Sequence, residues 1–98
     1  MTITKTKNST ELTLALTGRL DTATAPELEA QLNQSLDGVT DLTIDFAELN
    51  YISSAGLRVL LSAQKRMNTQ GRMKVTNANE TVLEIFEVTG FSDILTIE

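Results

Sequence analysis

Asp45-Phe46-Ala47-Glu48-Leu49-Asn50-Tyr51-Ile52-Ser53-Ser54-Ala55-Gly56-Leu57-Arg58-Val59-Leu60-Leu61 is the stretch on which the reading of this chain turns. Its opening residues close a run in which Leu42, Ile44 and Phe46 alternate with Thr43 and Asp45, the period-2 pattern of a strand with one buried face. A short loop then leads to two adjacent serines and a glycine. Beyond them Leu57, Leu60, Leu61, Gln64 and Met67 share one face of a helix that Gly71 closes. A serine at a helix start is ordinary capping. It is also a place where an added phosphate would meet free backbone N–H groups.

Working outward, Ile3 among threonines suggests a short first strand, and Lys7-Asn8-Ser9-Thr10 a polar turn. Leu12, Leu14 and Leu16 alternate with polar or small residues, so a second strand and a hairpin follow, with Gly18 ending the strand. Thr22 or Thr24 can cap a first helix whose opening turn accepts Pro26 and Glu27. Leu28, Leu32 and Leu36 form its stripe, extended by Ala25, and Gly38 stops it. Met73-Lys74-Val75 reads as a short strand, and Asn77 with Glu80 as a capping-box start to a third helix through Val82, Leu83, Ile85, Phe86 and Val88, with Gly90 as C-cap. Ile94-Leu95-Thr96-Ile97 reads as a last strand. The fold class is α/β, a single domain over residues 1–98 in the order β-β-α-β-α-β-α-β, with a mixed, mostly parallel sheet. Because the strands alternate apolar with Thr, Asp or Lys, the helices are expected mainly on one face.

Composition narrows the function. A net charge of −5 argues against a nucleic-acid partner. There is no cysteine and no histidine, which removes thiolate chemistry and the commonest general base and metal ligand. Asp21, Glu27 and Glu29 are too scattered for a metal site, so no cofactor or metal is expected. No apolar run reaches a membrane span and the N-terminus lacks a signal core, so no membrane partner is expected and the cytoplasm is the expected location. An enzyme is not expected either. A serine nucleophile needs a base; Lys65 lies roughly 16 Å along the helix from Ser54, and no GxxxxGK loop occurs.

From the residues alone, Ser53 and Ser54 read as a cap and a loop filler, Asp21 as a turn or cap, Asp45 as a solvated strand end, and Tyr51 and Ile52 as packing residues. Arg58 reads either as part of a solvated helix face or, by i,i+4 geometry, as a neutraliser of a phosphate on Ser54.

The quoted stretch resembles the signature of the STAS domain in bacterial anti-sigma factor antagonists. Gly18-Arg19-Leu20-Asp21 before Thr24-Ala25, and Phe86-Glu87-Val88-Thr89-Gly90-Phe91 late in the chain, resemble two further stretches of that family in matching order. The resemblance implies a STAS domain that binds an anti-sigma factor when unphosphorylated and is inactivated by phosphorylation of a loop serine. The anti-sigma factor would itself be a serine kinase of the histidine-kinase-like ATPase class, and a metal-dependent serine phosphatase would reset the switch. The family's modified serine stands two residues before the loop glycine, which is Ser54 here, with Ser53 as the fallback. The same resemblance implies a partner surface of Asp21, Thr22, Ser53, Ser54, Ala55, Gly56, Leu57 and Arg58. Alternative outputs are a non-sigma process such as secretion or biofilm formation, and a scaffold role in a signalling assembly.

Overall fold

The computed structural model describes residues 1–98. Strand β1 (Thr2–Asn8) turns through Ser9 and Thr10 into β2 (Glu11–Leu20), and the two pair antiparallel with Asn8 opposite Glu11. Ser9 takes the left-handed conformation, φ 60°, that so tight a connection requires. Helix α1 (Ala25–Ser35) carries the chain to β3 (Asp41–Ile52), α2 (Ser54–Gln70) to β4 (Arg72–Thr76), and α3 (Glu80–Thr89) precedes a single 3-10 turn at Phe91–Asp93. The sheet order is β1-β2-β3-β4, with β2, β3 and β4 parallel.

Register explains the two faces. Leu12, Leu42 and Met73 stand side by side, as do Leu14, Ile44 and Val75, and all six are buried under the helices. The opposite face presents Thr13, Thr43 and Lys74, all partly exposed. The helices thus cover one face, as the alternation implied. Phe46 and Phe86, with ring centroids 6.2 Å apart, join β3 to α3 at the centre of the core.

Four local expectations are corrected. Gly18 does not end β2. It lies inside the strand at φ 101°, next to a register shift, and the strand runs on to Leu20; a glycine within a strand at positive φ marks a bulge. The loop expected before the serines is strand: Glu48, Leu49, Tyr51 and Ile52 all pair with β2. A second register shift, between Ala15 and Thr17, breaks the period-2 signal, so that Phe46, Leu49 and Ile52 are buried at intervals of three. The cap of α3 is Asn79, whose side chain accepts from the Val82 amide at 2.8 Å; Asn77 instead sits at φ 59° and donates to Asp45. The expected last strand shrinks to one parallel bridge between Val75 and Ile97, held by Val75 N–H to Thr96 C=O and Glu98 N–H to Val75 C=O, both at 2.9 Å.

Candidate functional site

Three segments converge at the C-terminal ends of the parallel strands: the end of β2, the turn after it, and the junction of β3 with α2. The Ser53 amide donates to the Leu20 carbonyl at 2.9 Å and locks the junction to β2. Ser53 holds the N-cap position of α2 with extended backbone, φ −102° and ψ 176°, yet its hydroxyl makes no capping bond. Its Oγ is buried without a partner. Ser54, the first residue of the helix, is exposed. The two serines are therefore inequivalent: the Ser53 hydroxyl is shut in, whereas Ser54 is exposed beside uncapped helix amides.

Gly56 is buried, and a Cβ on it would lie 2.7 Å from Leu20 Cγ and 2.8 Å from Ile52 Cγ1. Its missing side chain lets α2 start directly over the ends of β2 and β3. Leu57 is also turned into the core, at 6% exposure. These two residues shape the loop from beneath, while Ser54 and Arg58 are exposed and Ala55 is partly so.

Asp21 organises the neighbouring turn. Its Oδ1 accepts from the amides of Ala23 at 3.0 Å and Thr24 at 3.2 Å, and its own amide donates to Thr24 Oγ1 at 2.9 Å. The Thr24 hydroxyl donates to the Arg19 carbonyl at 2.8 Å, so the threonine in the cap position of α1 closes the turn rather than capping the helix. Desolvation pushes the Asp21 carboxyl up, but the Thr24 and Ala23 amides, the Thr24 hydroxyl and Arg19 together outweigh it and hold its pKa below the ordinary value. Thr22, in the same turn, is exposed.

Sequence reasoning passed over Arg19. It pairs with Tyr51 across β2 and β3, and its guanidinium carbon lies 4.6 Å from the Tyr51 ring centroid. The Gly18-Arg19-Leu20-Asp21 motif contained it, but only the strand register brings the two side chains together. A depression of about 500 Å³ on the open face, lined by Glu11, Thr13, Asp41, Thr43, Arg72 and Lys74 among others, lies at the opposite ends of the strands. Its cations are paired, Arg72 with Asp41 at 2.9 Å and Lys74 with Glu98 at 3.7 Å.

Residues 3–96 match the family model described as "Mlab, STAS domain". The chain belongs to the STAS domain family. Among curated proteins, BtrV of Bordetella bronchiseptica, named as a candidate anti-sigma factor antagonist, is 36% identical over 99% of this chain and 85% of its own length. The anti-sigma-B factor antagonist of Bacillus subtilis is 29% identical over 93% of this chain and 84% of its own. Among solved structures, an anti-sigma factor antagonist from Mycobacterium paratuberculosis superposes with a TM-score of 0.88 at 20% identity, covering 98% of this chain and 83% of that one; at that identity the likeness speaks to the fold. The relatives of this STAS domain are regulatory proteins rather than enzymes. No helix of the domain is long and apolar enough to cross a membrane.

Proposed function

We propose that this STAS domain is an anti-sigma factor antagonist of a cytoplasmic partner-switching circuit, and that Ser54 is its switch. In the unphosphorylated state the surface around Asp21, Thr22, Ser54 and Arg58 engages an anti-sigma factor that is also a serine kinase of the histidine-kinase-like ATPase class, and the sigma factor is released. The kinase then transfers the γ-phosphoryl group of ATP. Ser54 Oγ forms the new P–O bond, ADP departs, and the hydroxyl proton passes to a base on the kinase. A metal-dependent phosphatase returns the serine by hydrolysis.

The observation that carries this reading is the contrast between the two serines. The Ser54 hydroxyl is exposed at the first position of α2, whereas Ser53 Oγ is buried, which favours Ser54 over Ser53 as the acceptor. A phosphate adds about −1.5 to −2 charges and three acceptor oxygens. At a helix N-terminus it meets backbone N–H groups and the favourable end of the dipole, so the fold absorbs it. The partner does not. Burying an unpaired anion costs several kcal/mol, enough to reverse affinity by orders of magnitude, and no rearrangement of the domain is needed.

The test is a pull-down from source lysate with wild-type and Ser54→Ala protein, followed by kinase reaction and mass spectrometry of the recovered complex. Recovery of an anti-sigma kinase that phosphorylates residue 54 is expected. Phosphate on Ser53 or a threonine would overturn the site, and recovery of other regulators or of a large assembly would overturn the sigma-factor output.

A further inference from the structure

The charge of the domain is unevenly placed. Residues 75–98 hold no Lys or Arg and five acids, Glu80, Glu84, Glu87, Asp93 and Glu98; the other 8 of the 13 acids are balanced by the 8 Lys and Arg of residues 1–74. The whole net charge of −5 therefore belongs to the C-terminal segment. The same segment holds the large apolar side chains that the domain leaves exposed, Leu83, Val88 and Ile94. On α3, Glu80, Leu83 and Glu87 follow one another at i, i+3 and i+7 and are all exposed, which places them in one row two turns long. Neither glutamate makes an ion pair. Glu87 also stands near a helix end that has no basic residue in its last turn, where the negative end of the dipole disfavours it.

Another helix of the same chain carries the complement. On α2, Arg58, Leu61 and Lys65 stand at the same spacing, i, i+3 and i+7. Arg58 and Lys65 are exposed and make no ion pair, and Leu61 is half-buried. No ion pair joins the two rows within one copy. Two cations two turns apart, roughly 10.5 Å along the axis, thus match two carboxylates at the same separation, with a leucine between the charges in each row. We infer that this domain pairs with a second copy of itself, α2 of one copy lying against α3 of the other. With the two helices antiparallel, Arg58 of one copy meets Glu87 of the other, Lys65 meets Glu80, and Leu61 packs on Leu83. A two-fold axis forms the contact twice, since each copy offers both rows. Net repulsion does not prevent the pairing. The thinnest dimension of the domain is 20 Å, so the centres of two touching copies stand about two screening lengths apart at about 0.1 M salt, while the paired side chains are in contact. Two exposed helix faces make a small interface, so the association is of the weak, transient class. Arg58 also belongs to the surface proposed above for the anti-sigma factor, so self-association withholds part of that surface; this consequence rests on that reading, and the contact itself does not.

The test is sedimentation equilibrium of the purified protein over a concentration series reaching about 1 mM, where weak pairing is populated. Wild-type protein is expected to pass from monomer to dimer. Arg58→Glu with Lys65→Glu, and separately Glu80→Lys with Glu87→Lys, should each weaken dimerisation by about tenfold or more, as like charges replace opposite ones. Mixed in equal amounts, the two double variants should dimerise again at least as strongly as wild type, because an acidic α2 then faces a basic α3 and a basic α2 faces an acidic α3. Circular dichroism melts check that each variant is folded, and the single exchanges Lys65→Glu and Glu80→Lys serve where a double variant is not. Wild-type protein that stays monomeric throughout the series would overturn the inference and leave the α3 row to a basic segment of another protein. Variants that dimerise undiminished, or a mixture no stronger than its separate components, would overturn it equally. No kinase or phosphate enters the experiment, so its outcome is separate from that of the Ser54 switch.

Discussion

At position 56 a side chain has no room, and the neighbours that exclude it are Leu20 and Ile52 of the domain itself. The requirement for glycine is therefore one of packing, and Gly56→Val should destabilise the protein by about 1–3 kcal/mol through overpacking, read as a fall in the urea midpoint. A variant with an unchanged midpoint would show that α2 can shift freely over the sheet. Ser54 should behave in the opposite way. Ser54→Ala is expected to keep the fold and partner binding and lose all phosphorylation by mass spectrometry. Ser54→Asp should weaken partner binding while altering stability by only about 0.3–1 kcal/mol, since an anion suits a helix start; calorimetry distinguishes this from a structural serine, whose replacement would lower the melting temperature sharply. Asp21 supplies a pH dependence. Its folded pKa lies below the ordinary 3.8, so the ionised form is favoured by folding. Its stabilisation is present above about that value and is lost as pH falls through the lowered folded pKa. The stability difference between wild type and Asp21→Asn should thus be constant near neutrality and shrink on acidification below 3.8; a difference that grew in acid would reverse the sign assigned here.

The elements show where local pattern suffices and where it does not. The β2 alternation, the stripes of α1 and α2, and the Gly71 and Gly90 ends were readable because each depends on residues within a turn or two. The second half of β3 was not readable, because its pairing follows a register shift that the partner strand imposes. The start of α3 was misplaced by two residues. Asn77 and Asn79 both precede Glu80, and only the packed structure assigns Asn77 to Asp45 and Asn79 to the helix. Asn79 also donates to the Leu49 carbonyl at 3.1 Å, tying α3 to β3. Asn79→Ala should therefore cost about 0.5–2 kcal/mol, and Asn77→Ala, whose bond is exposed, measurably less in parallel denaturant titrations. Equal losses would mean that the cap is not what seats α3.

On the scale of the whole molecule, one sheet face is filled by helices and the other is open, and the proposed switch serine, Ser54, sits where β2 and β3 end and α2 begins. A phosphate on Ser54 would meet the uncapped amides at the start of α2, so amide NMR shifts on phosphorylation should be confined to the start of α2 and the adjoining turn after β2. Shifts spreading across β1 or β4 would indicate a conformational rearrangement. The sequence by itself determined the α/β class, the one-sided helical layer and the serine-bearing junction between strand and helix, because periodicity and capping are local consequences of backbone geometry. It also carried the family, through motifs spaced along most of the chain. Tertiary structure alone decided which serine is open to solvent, why residue 56 is glycine, and that Arg19 lies on Tyr51. Each of these depends on the parallel register of β2 against β3, which joins residues some thirty positions apart and leaves no periodic trace in either strand.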